Sequence, residues 1–243
     1  MTSIKKIDVL KSIDFAKKNK LFDRLNYIYS TLPIGECTGC GKCCMESVGI
    51  NLVEFLNIYK YLIDKDELRK SSLDRIIDYY FLEYSEKRCC PFRDENNRCL
   101  IYEVRPLNCR LFGHWKKDDY NKNLGNINQK NRDYQKYIKS KYGFDISNEV
   151  VNFKIKYCED FKPQNDYLDK STRLSFSDEI MTLDSRFFAN EIIDIEFRDR
   201  GIVEYFVELL LNQNVAYNIK IKISQNERIR KRTINRLKKI LIR

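Results

Sequence analysis

Apolar positions recur at helical spacing near the start of the chain: Ile4, Ile7, Leu10 and Ile13, then Leu21, Leu25 and Ile28. This pattern predicts a helical segment over 4–31, ended by Pro33 and Gly35. Asn51 followed by Glu54 reads as an N-cap with an acidic third position, opening a helix that runs to about Leu62. A second helix is expected over 66–84, with Leu73, Ile77, Tyr80 and Tyr84 on one face. The stretch 116–140 is rich in Lys, Asn and Asp and reads as a surface loop or an exposed helix. Lys162-Pro163 and the polar residues after it suggest a linker. Further on, 198–212 carries Ile202, Phe206, Leu209 and Leu210 in a helical pattern. Val215, Tyr217, Ile219, Ile221 and Ile223 alternate in the manner of a strand. The end, 224–243, reads as an amphipathic helix with Ile229, Ile234, Leu237 and Leu241 inward.

Composition narrows the class. The chain has 243 residues, 43% hydrophobic and 33% charged, a balance that suits a globular protein and not a disordered one. No apolar run approaches the ~20 residues of a membrane-spanning helix. The start has no apolar signal core, so the expected compartment is the cytoplasm. The net charge of +10 is mostly local. Residues 224–243 hold eight cations and one anion, a net +7, which makes this helix the candidate nucleic-acid contact. No RNP signature, two-Cys, two-His finger or helix-turn-helix cue accompanies it.

Nine cysteines carry the chemistry. In a reducing compartment, clustered cysteines bind metal or do redox work more often than they form disulfides. The first block is Cys37-x2-Cys40-x2-Cys43-Cys44, with Gly39 and Gly41 supplying the backbone freedom of a metal knuckle. Three cysteines in a row at this spacing favour an iron–sulfur cluster over zinc, whose modules more often pair two separated knuckles. Adjacent thiols usually point apart, so Cys43 and Cys44 can serve different sites. The second block holds Cys89, Cys90, Cys99 and Cys109. Asp94-Glu-Asn-Asn97 is its turn, and Arg105-Pro106 opens a short helix carrying Cys109. Arg93, Arg98, Arg105 and Arg110 are placed to offset thiolate charge, and Arg105 and Arg110 are the candidate cofactor-binding side chains. His114, the only histidine, reads as a packed or solvent-facing ring, and Cys89 as a small buried residue.

The run Cys-x2-Cys-x2-Cys-Cys, then Cys-Pro-Phe, then Cys-x-Ile-Tyr-Glu-x-Arg-Pro-x-x-Cys-Arg resembles the CxxCxxCC zinc- or iron-chelating family of YkgJ-type cysteine-cluster proteins. The flagellin lysine-N-methylases are similar over the same motif, and the match runs from about Cys37 to Phe112. The resemblance implies that Cys37, Cys40, Cys43, Cys44, Cys90, Cys99 and Cys109 are motif cysteines, that Cys89 is an extra, and that Cys158 supplies an eighth ligand. Eight thiols make two four-thiolate sites, or one site lacks a cysteine and keeps a metal position open for substrate.

Other enzyme patterns are excluded. The Cys-x3-Cys-x2-Cys of radical S-adenosylmethionine enzymes fails at Ser47. Neither G-x-G-x-x-G nor G-x4-G-K-[ST] occurs. The expectation is a mostly α fold with irregular, metal-stapled cysteine loops and little β. Its parts are an N-terminal helical segment (1–36), a cysteine-cluster metal-binding domain (37–160) and a C-terminal helical region (161–243). The functional readings are a metalloenzyme that modifies a peptide or protein, such as a lysine N-methylase using S-adenosylmethionine; a non-catalytic or electron-transferring iron–sulfur (4Fe–4S) protein; and a zinc- or iron–sulfur-stapled module that binds nucleic acid or a protein partner through 224–243.

Overall fold

The computed structural model describes residues 4–194 and 200–242. It is 64% helical, with two small two-stranded sheets, as the mostly α expectation requires. Among the described residues, no helix is long and apolar enough to cross a membrane.

Where one helical segment was expected over 4–31, there are two, α1 (Lys6–Lys18) and α2 (Leu21–Ser30). The run Lys17-Lys18-Asn19-Lys20 offers no apolar anchor, and Lys20 turns the chain through the left-handed region (φ 55°). The buried stripe of α1 is Val9, Ser12, Ile13 and Ala16; Ile7 is 55% exposed.

After strands β1 (Gly35–Glu36) and β2 (Gly49–Ile50) comes α3 (Leu52–Ile63), the central helix. Its nine buried residues cover nearly every face, as befits a helix packed on all sides. The Asn51/Glu54 capping box forms as expected. Asp184 adds to it, accepting from the Leu52 and Val53 N–H groups at 2.6 and 2.8 Å. Helix α4 (Asp66–Leu82) buries Leu73, Ile77 and Tyr80, with Tyr84 buried just beyond its end. The short α5 (Leu107–Leu111) carries Cys109.

The polar stretch after residue 116 is a helix, α6 (Lys117–Tyr142), stopped by Gly143 in the left-handed conformation (φ 74°). Next come α7 (Asn148–Val151), β3 (Lys162–Pro163), α8 (Lys170–Ala189), β4 (Arg200–Gly201) and α9 (Ile202–Leu210). The helix expected from 198 thus begins at Ile202, and 198–199 lie outside the described residues.

Residues 215–223 form a helix, not the expected strand: α10 (Gln213–Ser224). Its alternating Ile and Lys residues misled the period. The buried face is Ala216, Lys220, Ile221 and Ile223, at helical spacing, and Asn212 caps the start by accepting from the Asn214 and Val215 N–H groups. Lys220 is buried because its ammonium pairs with Glu83 and lies over the Tyr80 and Tyr84 rings at 4.2 and 4.4 Å. The last helix, α11 (Glu227–Leu241), buries Ile234 and half-buries Leu237 and Leu241, whereas Ile229 is 44% exposed.

Helix α4 packs against α9, α10 and α11, and α3 against α1, α2, α4 and α8. Both sheets tie the cysteine loops to later parts of the chain. β1 pairs antiparallel with β3, Gly35 opposite Pro163, so the stretch read as a linker is held against the entrance to the first cysteine block. β2 pairs with β4, Gly49 opposite Gly201.

Candidate metal centre

The first cysteine block is a glycine-dependent turn. Gly39 and Gly41 take φ of +67° and +68°. Gly39 has open space around it, but a Cβ on Gly41 would lie 2.9 Å from Asn97 Cβ and 3.0 Å from Arg93 Nε. Gly41 therefore lets the first block rest directly on the second. A backbone hydrogen bond joins the blocks as well, Cys90 N–H donating to the Cys44 carbonyl at 3.0 Å.

The second block is a tight hairpin. Asp94 Oδ1 accepts from the Asn96 and Arg98 N–H groups, Asp94 N–H donates to the Arg98 carbonyl, and Asn97 turns through φ 64°. This is the turn expected from Asp94-Glu-Asn-Asn97, and it returns the chain so that Cys99 stands opposite Arg93. Pro106 then precedes α5, whose first N–H, Leu107, donates to buried Glu54 Oε1 at 2.7 Å. The site's third arm is thus anchored to α3.

These elements bring Cys37, Cys43, Cys44, Cys90, Cys99 and Cys109 to the wall of one cavity of about 390 Å³. Arg98 and Arg105 share the wall with apolar Val48, Phe92, Ile101 and Ile202. The thiols are spread around the cavity: among the described residues, no three His, Cys, Asp or Glu side chains meet as a ready-made ligand set for one ion. Burial pushes the Cys90 thiol up to about 12 and raises Cys99, and it raises Cys109 well above the usual thiol range. Cys43 is raised first by its hydrogen bond with Cys44 and then by burial.

Backbone amides oppose this trend at several sulfurs. The N–H of Gly39 points at Cys37 Sγ (3.4 Å), that of Phe92 at Cys90 and that of Ile101 at Cys99. Cys158 receives the Asp160 and Phe161 amides. At Cys90, Cys99 and Cys158 these donors favour the thiolate, the form that binds metal.

Cys40 and Cys158 lie outside the lining of this cavity. The Cys158 segment is nonetheless fixed beside the knuckle. Lys42 pairs with Asp160 at 3.1 Å, and the Phe161 ring wedges between Gly35 and Gly113, where any Cβ would come within 2.3 Å of it. His114 is buried with its ring 4.6 Å from Phe161, and burial lowers its pKa. Cys89, expected to be buried, is exposed, because it precedes the turn that takes Cys90 inward.

The two candidate arginines differ. Arg105 lines the cavity, its guanidinium 3.8 Å over the Tyr102 ring, and its Nε is buried without a hydrogen-bond partner. Arg110 points away. It stacks on Tyr29 at 4.0 Å and donates to the carbonyls of Arg105 and Glu103, bracing the turn before α5.

A second cavity adjoins the first, and no cysteine spacing marks it. Cys43, Glu46, Val48, Asn108 and Phe112 also line an adjoining cavity of about 270 Å³, walled further by Trp115, Tyr120 and Phe153. Glu46, two residues after Cys44, was the available signal.

No solved structure matches this chain. The resemblance carried by the cysteine motif is borne out in the part of the chain that builds the cavity: residues 36–129 match the family model CxxCxxCC, described as "Putative zinc- or iron-chelating domain".

Proposed function

We propose that the chain is an iron–sulfur protein whose cysteine-lined cavity holds a four-iron cluster and admits a second molecule. The supporting observation is the wall of six motif thiols around one cavity of about 390 Å³. Soft thiolates are the donors that iron–sulfur clusters take. A cluster also carries its own bridging sulfides, so it suits thiols spread around a cavity better than a single zinc ion does. Cys37, Cys43, Cys44, Cys90, Cys99 and Cys109 are the proposed ligand pool, with Cys40 and Cys158 extending it beside the knuckle. When bound, such a cluster supplies electron-transfer chemistry and, at an iron without a cysteine, Lewis acidity.

The chain's own groups serve this centre in three ways. The amides of Gly39, Phe92 and Ile101 stabilise sulfur charge. Arg105, with its unpartnered Nε, offsets the net negative charge of a cysteine-ligated cluster. Phe92, Ile101 and Val48 keep water from part of the wall.

Cys37 and Cys109 both keep surface open to the cavity, although the walls enclose Cys109 deeply enough to raise its thiol, and this leaves room for a substrate. We read the protein as an enzyme that modifies a peptide or protein, with S-adenosylmethionine as the donor implied by similarity to the lysine N-methylases. Calorimetry of S-adenosylmethionine binding to anaerobically purified, brown protein tests this. Binding with a change in the absorption near ~400 nm supports it. Absence of binding removes the methyl-transfer reading and leaves the metal centre standing.

A further inference from the structure

α11 has two faces with different work. Ile234, Leu237 and Leu241 turn toward the core, and Lys238 reaches Asp74 and Asp78 of α4 at 2.8 and 2.7 Å. At 100° per residue, Arg228, Arg232, Arg236 and Lys239 fall on the opposite side, and all four are exposed. Arg228, Arg232 and Arg236 are one helical turn apart, about 6 Å along the axis. Among the described residues, none of these three arginines has a carboxylate within ion-pair distance, whereas Lys231 at the edge of the stripe is paired with Glu227.

We infer that this outward stripe of α11 binds the phosphate backbone of a nucleic acid without reading its bases. A row of arginines set at regular spacing by the helix complements a linear polyanion with regular charges, and Arg suits phosphate by its forked geometry. The exposed face carries no aromatic side chain for base stacking, so backbone contact is the mode it supports. A lipid surface fits less well. An interfacial helix needs a continuous apolar face, and here that face is already packed on the protein, leaving only Ile229 and Ile240 outside. This inference is independent of the metal centre.

The test is fluorescence anisotropy of labelled duplex DNA and single-stranded RNA with the full chain, as purified, over a salt series. Neutralising three phosphates of duplex DNA gives a slope of log affinity against log salt of about −2.7, roughly a 40-fold loss between 50 and 200 mM. The variant R228Q/R232Q/R236Q should lose at least about tenfold at low salt and flatten the slope toward zero. Its melting temperature and metal content should match wild type, because the three side chains are exposed. Preference between the two probes identifies DNA or RNA as the source of the phosphates. The proposal is overturned by no binding at the lowest salt, by an unchanged slope in the variant, or by binding to phosphatidylserine vesicles that the variant loses while neither nucleic acid binds.

Discussion

Glu54 Oε1 accepts hydrogen bonds from the Tyr29 hydroxyl and the Leu107 N–H, both at 2.7 Å, so one buried carboxylate joins α2, α3 and α5. Its other oxygen accepts from Asn51 N–H at 2.9 Å and closes the capping box of α3. Glu54→Ala strands three donors and should cost on the order of 3–5 kcal/mol by urea denaturation. Tyr29→Phe removes one donor and should cost about 1 kcal/mol. Because α5 carries Cys109, Glu54→Ala should also lower the metal content of protein that still folds.

The glycines of the first block are not equivalent. Gly39→Ala meets open space and should cost about 1–2 kcal/mol for its left-handed backbone alone. Gly41→Ala adds a collision with Asn97 and Arg93, so it should cost more and separate the two cysteine blocks. Denaturation midpoints and metal analysis of the two variants side by side check the order.

Phe161 seats the Cys158 segment. Phe161→Ala should cost about 3–5 kcal/mol, since the ring fills the space between Gly35 and Gly113 that no glycine can refill. Cys158 should then become more reactive toward a mild alkylating reagent, followed by peptide mass mapping. Equal reactivity in variant and wild type would show that the ring does not seat this segment.

Asp184 gives stability a pH slope. Burial raises its pKa from 3.8 to about 7, against the pull of the Leu52 and Val53 amides. The folded state therefore holds a proton that the unfolded state has released. This contribution is fully present below about pH 4 and is lost as pH rises through about 7. Buried Glu54, also raised by burial, acts with the same sign. Melting temperature should fall from about pH 5 to about pH 8 in wild type, and Asp184→Asn should flatten that fall without abolishing it.

Much of this architecture can be read from residues alone, for identifiable reasons. The α3 capping box, the Asp94–Asn97 turn and the Pro106 start of α5 each depend on side chains acting within four residues. Failures came where tertiary contacts decide. A strand pattern in 215–223 yielded to a buried Lys220, paired with Glu83 of a distant segment, that no hydropathy pattern selects. The linker at Lys162 is a strand because Phe161 locks it down, a contact between residues far apart in sequence. The cysteine blocks were legible by spacing, but Arg110 turning to Tyr29, and Glu46 joining two cavities, depend on how the arms fold back.

The most direct measurement is iron, acid-labile sulfide and zinc per chain in anaerobically isolated protein, with Cys90→Ser and Cys109→Ser alongside. The account predicts iron and sulfide in near-equal amounts, roughly four of each per chain, with absorption near ~400 nm and a clear loss in both variants. Stoichiometric zinc without sulfide, or metal-free protein with all nine thiols open to titration after unfolding, would contradict it.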